Sequence, residues 1–252
     1  MARQAWLLAK NDLRQELRDL ELVLTAAFFT LVVLVMFALA FAALPAADQT
    51  LAVPGMLWLA VAFVGALTLT RIFDREREAD TLRALLTWPV DRTAIYFGKL
   101  IVSLAVVFGC AALLLPALAL LFPGASAFLE RPGESYLLLA LGCIAYCSVG
   151  TLFAAGLATA SGKNVLLSVI LYPLTSPALI FALVATRALL EGHPSFTTYL
   201  GQLAALDVVV VAVAAWLFEP VLVGSTARPR AGAPLSRKAE TKAETKIEGA
   251  SR

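Results

Sequence analysis

Cys143 and Cys147 stand four residues apart, a spacing that brings two thiols to one face of a helix. So placed, they could hold a soft metal ion or form a disulfide. Neither chemistry finds the partners it needs. The third cysteine, Cys110, is remote in the chain, and the single histidine, His193, falls in EGHPS between two apolar runs. A cysteine without such company behaves as a small hydrophobe. The imidazole of His193 could ligate iron, but a loop residue is the simpler reading. GLATASGKN, residues 156–164, mimics the phosphate-binding loop G-x-x-x-x-G-K-[ST]. It has one residue too many between its glycines, and Asn164 stands where a magnesium-binding hydroxyl belongs. No Ser/His/Asp or H-E-x-x-H arrangement offers hydrolysis. Asp207 and Glu219 remain, and their meaning depends on the apolar run 203–223 that contains them.

That run is one of six. The 252-residue chain is 60% hydrophobic and 15% charged, whereas a soluble domain is about half apolar with roughly a quarter of its residues charged. Runs of the ~20 uncharged residues that a bilayer crossing requires extend over 22–47, 49–70, 100–129, 135–162 and 164–186. Barrel strands would be about ten residues long with alternating polarity. The sequence therefore predicts an all-α integral membrane protein with six transmembrane helices. Ionisable groups in such helices are functional candidates by default. Glu219, one turn inside one end and just before Pro220, can snorkel or pair with a base. Asp207 is expected near the opposite end of span six. A structural role is favoured over a pathway role for both.

Basic residues are retained on the cytoplasmic side of short loops. Of the 20 Lys and Arg, 18 lie in the N-terminal segment, the 71–99 connection, Lys163 and the tail; only Arg131 and Arg187 lie opposite. Both termini are thus expected in the cytoplasm. Residues 1–21 read as an amphipathic interfacial helix. Trp6, Leu13, Leu17, Leu20 and Leu24 form its apolar stripe, Arg3, Lys10, Arg14 and Arg18 one flank, and Asp12, Glu16 and Asp19 the other. Its bases could reach anionic lipid headgroups. Residues 22–223 form the six-span transmembrane domain. The tail, 224–252, ends in RKAETKAETKIEGASR, lacks apolar residues to bury, and reads as disordered.

Two segments break the pattern. In span five, LYPLTSPALI places Pro173 and Pro177 four residues apart. Prolines there free backbone carbonyls, so this helix is expected to be kinked or broken and packed inside the bundle. Between spans two and three, residues 71–92 gather ten charged side chains in 22 positions. Read as a short cytoplasmic helix, Ile72, Ala79, Leu82 and Leu86 share one face, with Leu85 at its margin. Asp74 with Arg77 and Asp80 with Arg83 make i, i+3 pairs on the rest. Pro89 stops the helix, and Asp91 is a suitable N-cap for span three.

The stretch from Pro54 to Leu100 resembles the permease subunit of the cytochrome c maturation system, the CcmB-type heme exporter protein B family. The resemblance rests on Pro54-Gly55, Leu57-Trp58, the charge run 71–78, Pro89-Val90-Asp91-Arg92 and Gly98-Lys99, with YPLTSPALI in span five. It extends over residues 7 to about 223. Asp80 departs from it, since related permeases often carry glycine there. The resemblance implies a non-catalytic subunit of an ABC-type complex in the bacterial inner membrane. Its implied partners are a cytoplasmic ATPase subunit that binds ATP, other cytochrome c maturation membrane proteins, and a second copy in the lipid bilayer, with no nucleic acid. The complex would handle haem, while this chain binds no cofactor of its own. The ATPase would dock at the 71–92 segment, on Ala79, Leu82, Leu85 and Leu86, with Arg75, Glu76, Glu78 and Arg83 at the rim. A permease for a drug, lipid or metal-related substrate would carry the same charged helix and stays open. A proton-coupled secondary transporter would carry ionisable residues near the bilayer midplane, and spans one to five have none. An intramembrane enzyme would need paired catalytic residues at matching depth, and none is visible.

Overall fold

Uncharged runs fold as helices in lipid because nothing around them can satisfy a free backbone amide or carbonyl. The computed structural model describes residues 2–19, 21–41, 43, 45–78, 91–159 and 165–226. Among these there are helices and no strands: α1 Ala2–Asp19, α2 Glu21–Phe41, α3 Ala46–Glu78 and α4 Arg92–Leu121, followed by a 3-10 turn at Pro123–Ala125. The chain continues through a short α5 Ala127–Glu130, then α6 Pro132–Thr159, α7 Val165–Leu190 and α8 Phe196–Thr226. Six of them (α2, α3, α4, α6, α7 and α8) contain stretches long and apolar enough to cross a membrane.

The crossings alternate in direction. Glu21 meets Arg71 at one end of the α2–α3 pair, Phe29 meets Phe63 along it, and Gln49 donates to the Phe41 carbonyl at the other. Likewise Tyr96 of α4 reaches Ser148 of α6, while Ala112 lies near Tyr136. One end of the bundle, called here the terminal end, therefore gathers α1, Arg71, Arg92, Lys99 and Glu219. Helix α6 is its axis: 67% of its span is buried, against 17% for α2 and for α8. The outer pair presents Phe28, Leu31, Met36 and Leu39 on α2, and Val208, Val209, Val213 and Trp216 on α8. Such a surface suits hydrocarbon.

Several expectations are corrected. The helix of span three starts at Arg92, as Asp91 in the N-cap position implied and eight residues before the uncharged run 100–129, and ends at Leu121, because Phe122 turns the chain into the 3-10 turn before α5. Its two bases are tolerated because both are paired, Arg92 with Glu219 and Lys99 with Asp12. Asp91 does occupy the N-cap position, but its side chain makes no capping bond. Helix α7 runs unbroken through Pro173 and Pro177, and both prolines face outward, not into the bundle. The helix of span two does not stop where the span does: α3 stays helical beyond Ile72, which is buried, through Glu78. Residues 79–90, with Ala79, Leu82, Arg83, Leu85 and Leu86, lie outside the described residues, as do the side chains of Arg75, Glu76 and Glu78. The tail beyond Thr226 lies outside them too.

Candidate functional site

The centre of the bundle is built from notches on α6. Three residues one turn apart, Gly142, Tyr146 and Gly150, face α3 in parallel register. A Cβ at Gly142 would sit 2.0 Å from the Trp58 ring, and one at Gly150 would sit 2.1 Å from a Leu69 methyl. Between them the pattern reverses: a Cβ at Gly65 of α3 would meet Tyr146 at 2.2 Å, and the Tyr146 hydroxyl donates to the Ala62 carbonyl at 2.7 Å. Glycine is required at these places because a large side chain fills the space a Cβ would take. Trp58 then donates through Nε1 to Thr186 Oγ1 on α7 at 2.8 Å, which joins a third helix to the pair. At the terminal end, Tyr96 of α4 packs on Phe218 of α8 with ring centroids 5.3 Å apart.

Asp207 is placed where the sequence did not put it. Span six starts at Phe196, because Thr197, Thr198 and Gln202 are polar without being charged. At 1.5 Å per residue, Asp207 lies about 16 Å along a span about 39 Å long. It is therefore near the middle of the crossing, not near its end. The residue is 4% exposed, and neither carboxylate oxygen has a hydrogen-bond partner among the described residues. Cys143 stands at a matching depth on α6, eleven residues into its helix as Asp207 is into α8. The register of the two helices supports this match: Gly156 of α6 meets Val221 of α8. Ser103 Oγ on α4 and Thr151 Oγ1 on α6 are also buried without a hydrogen-bond partner among the described residues. All three thiols are buried and free, and no group of three His, Cys, Asp or Glu among the described residues could hold a metal ion.

The other candidates have structural partners. Glu219 Oε1 meets Arg92 at 3.0 Å, and both side chains are substantially exposed, so the pair contributes about 0–1 kcal/mol. Pro177 has no N–H to give the Pro173 carbonyl, and the Ser176 hydroxyl takes its place at 2.7 Å. In α4, the Ala112 carbonyl freed by Pro116 is approached by the Tyr136 hydroxyl at 3.5 Å. His193 takes part in the cap that ends α7. Gly192, at φ 64°, closes α7 in a Schellman turn in which the His193 amide bonds the Ala188 carbonyl. The His193 ring Nδ1 accepts the Ser195 amide at 3.2 Å.

Sequence reasoning missed the way α1 docks. Its apolar stripe does not face the bundle squarely, since Trp6 is 60% exposed. The face against α4 is instead the small and acidic one. Ala5 and Ala9 are buried, and Gly98 of α4 comes close to Leu8, Ala5 and Ala9. Asp12 binds Lys99 Nζ at 2.5 Å, and Glu16 is turned inward. The signal was available in Gly98-Lys99, a notch beside a base at the start of a span.

Six helices apolar enough to cross a membrane, around a glycine-notched axis, define a multi-pass helical membrane protein. The family model described as CcmB protein matches residues 3–223. The chain belongs to this family, the heme exporter permeases of cytochrome c maturation. No curated protein matches it.

Proposed function

We propose that the chain is the membrane subunit of an ABC-type complex in the bacterial inner membrane, with both termini cytoplasmic, driven by a separate ATPase that docks on residues 71–92. The carrying observation is how the flanking helices are held. Helix α3 runs past its span, Asp48–Ile72, as an unbroken helix to Glu78. Helix α4 restarts at Arg92, tied to α8 through Glu219 and to α1 through Lys99. A push on the intervening residues therefore loads α3 and α4 together, and through them α6, α8 and α1. An amphipathic segment gives a partner's cleft an apolar anchor while its charges set orientation. Ala79, Leu82, Leu85 and Leu86 supply that anchor, with Arg75, Glu76, Glu78 and Arg83 around it. Two copies assemble with the ATPase and other maturation proteins. The filled α3–α6 centre favours using ATP to release a haem-loaded chaperone over passing haem through the bundle. Glu219, Pro173 and Pro177 serve structure, and Asp207 is the pathway candidate. This reading takes 1–21 as the interfacial helix, 22–223 as the permease domain and 224–252 as the tail.

Burying one leucine contributes about 1.5–3 kcal/mol. Leu82→Asp or Leu86→Asp should thus weaken ATPase association at least about tenfold, at normal membrane abundance. Co-purification of the ATPase measures it, and undiminished recovery with both variants would sink the docking assignment.

A further inference from the structure

The sequence of α1 mixes acids and bases, but the fold sorts them. Asp12 is committed to Lys99 of α4, and Glu16, one turn on, is 7% exposed. The side chain of Asp19, the third acid of α1, lies outside the described residues, and Glu21 belongs to α2 and pairs with Arg71. Arg3, Lys10, Arg14 and Arg18 are all exposed on the other side of the helix, beside Trp6 and Leu7, which are 60% and 54% exposed. Packing has therefore turned a helix of mixed charge into a surface of four bases and two large apolar side chains. Its depth is fixed by the chain. One residue separates Asp19 from the start of the α2 crossing at Glu21, and Gly98, under two turns into α4, touches Leu8. That surface accordingly sits where the hydrocarbon ends.

The geometry points to a binding site for anionic phospholipid on the outward face of α1: Arg3, Lys10, Arg14 and Arg18 hold phosphate headgroups, and Trp6 and Leu7 enter the acyl boundary. A basic face with aromatic and leucine neighbours at headgroup level takes up anionic lipid by combining charge with apolar burial. The Asp12–Lys99 pair and the Ala5/Ala9 seat on Gly98 fix the helix so that its bases point away from the bundle. Anionic lipid then holds α1, and with it the beginning of α4. This inference is independent of the ATPase assignment.

The test uses the full-length protein reconstituted in phosphatidylcholine bilayers containing brominated phosphatidylglycerol, with quenching of Trp6 taken as the difference from a Trp6→Phe variant. Wild type should show stronger Trp6 quenching by brominated phosphatidylglycerol than by brominated phosphatidylcholine at equal mole fraction, and the preference should shrink in high salt. Each base near an anionic surface is worth about 1 kcal/mol, so Lys10→Gln/Arg14→Gln should lower the apparent phosphatidylglycerol affinity about thirtyfold. Quenching by phosphatidylcholine should be unchanged in that variant, because Trp6 and Leu7 keep α1 at the boundary. Both substitutions are at exposed positions, so an unchanged thermal midpoint shows that folding is intact. A wild type without phosphatidylglycerol preference, a double variant that keeps it, or competition by inorganic phosphate would each overturn the assignment.

Discussion

Replacing Gly142 with alanine places a methyl carbon 2.0 Å from the Trp58 ring, in a contact that is 2% exposed. Ordinary carbon contacts lie at about 3.5–4.0 Å, so the indole must retreat by about 1.5 Å. Its Nε1–Thr186 bond, 2.8 Å long, does not survive that movement. Overpacking costs about 1–3 kcal/mol and the lost hydrogen bond about 0.5–1.5 kcal/mol, so the expected destabilisation is about 2–4 kcal/mol. For a chain of this size that corresponds to roughly 4–16 °C in thermal midpoint. Cys110, Cys143 and Cys147 are buried and free, so a thiol-reactive fluorophore reports unfolding in detergent without an added label. Midpoints are compared at one scan rate, because membrane proteins seldom refold from such scans. Trp58→Phe removes the colliding atoms, and in the Gly142→Ala background it should recover part of the loss. A coupling of about 0.5–3 kcal/mol between the two changes is expected. A Gly142→Ala protein as stable as wild type, or a double variant whose losses simply add, would refute the interlocked α3–α6 contact.

Reporter fusions after Ala47, Glu130 and Glu191 should all register the non-cytoplasmic side, and a cytoplasmic signal from any of them breaks the six-crossing topology. Asp207→Leu removes a buried carboxylate that lacks a hydrogen-bond partner among the described residues, so the same thiol assay should show stability unchanged or raised by about 1–3 kcal/mol. If Asp207 serves the pathway, the yield of haem-stained c-type cytochrome should fall in that variant despite its stability. Full yield would return the residue to a structural role.

The six crossings were legible because lipid forces a single solution on a long uncharged run. The pairing of Glu219 with a base was legible as well, since an acid one turn from a charged boundary has few other options. Three features were hidden for related reasons. The uncharged run 100–129 left out the first turns of span three, although Asp91 marked their start, because Arg92 and Lys99 read as loop charges and only the fold supplies Glu219 and Asp12 to neutralise them. Asp207 was displaced from the centre because the polar, uncharged start of α8 does not register as hydrophobic. The inner face of α1 escaped a two-sided reading of water against lipid, which has no place for a third surface made of protein. The prolines of α7 failed as markers of the interior because Ser176 repairs the Pro173 carbonyl locally, leaving the helix no need to hide them.

The alternation of Gly142, Tyr146 and Gly150 against Trp58, Gly65 and Leu69 acts as a set of teeth. Sliding α3 along α6 by a fraction of a turn would drive an aromatic ring into a helix backbone, and the glycine notches repeat only every eight residues, about 12 Å. The two helices can therefore turn or tilt only as one piece. Any stroke delivered at the end of α3 reaches the far side of the bundle undiminished by slip. The freedom for an opening motion must then lie with the lightly buried outer helix α2, which has hydrocarbon on one side and, among the described residues, no glycine notch to release, whereas α8 is held by Val221 against Gly156.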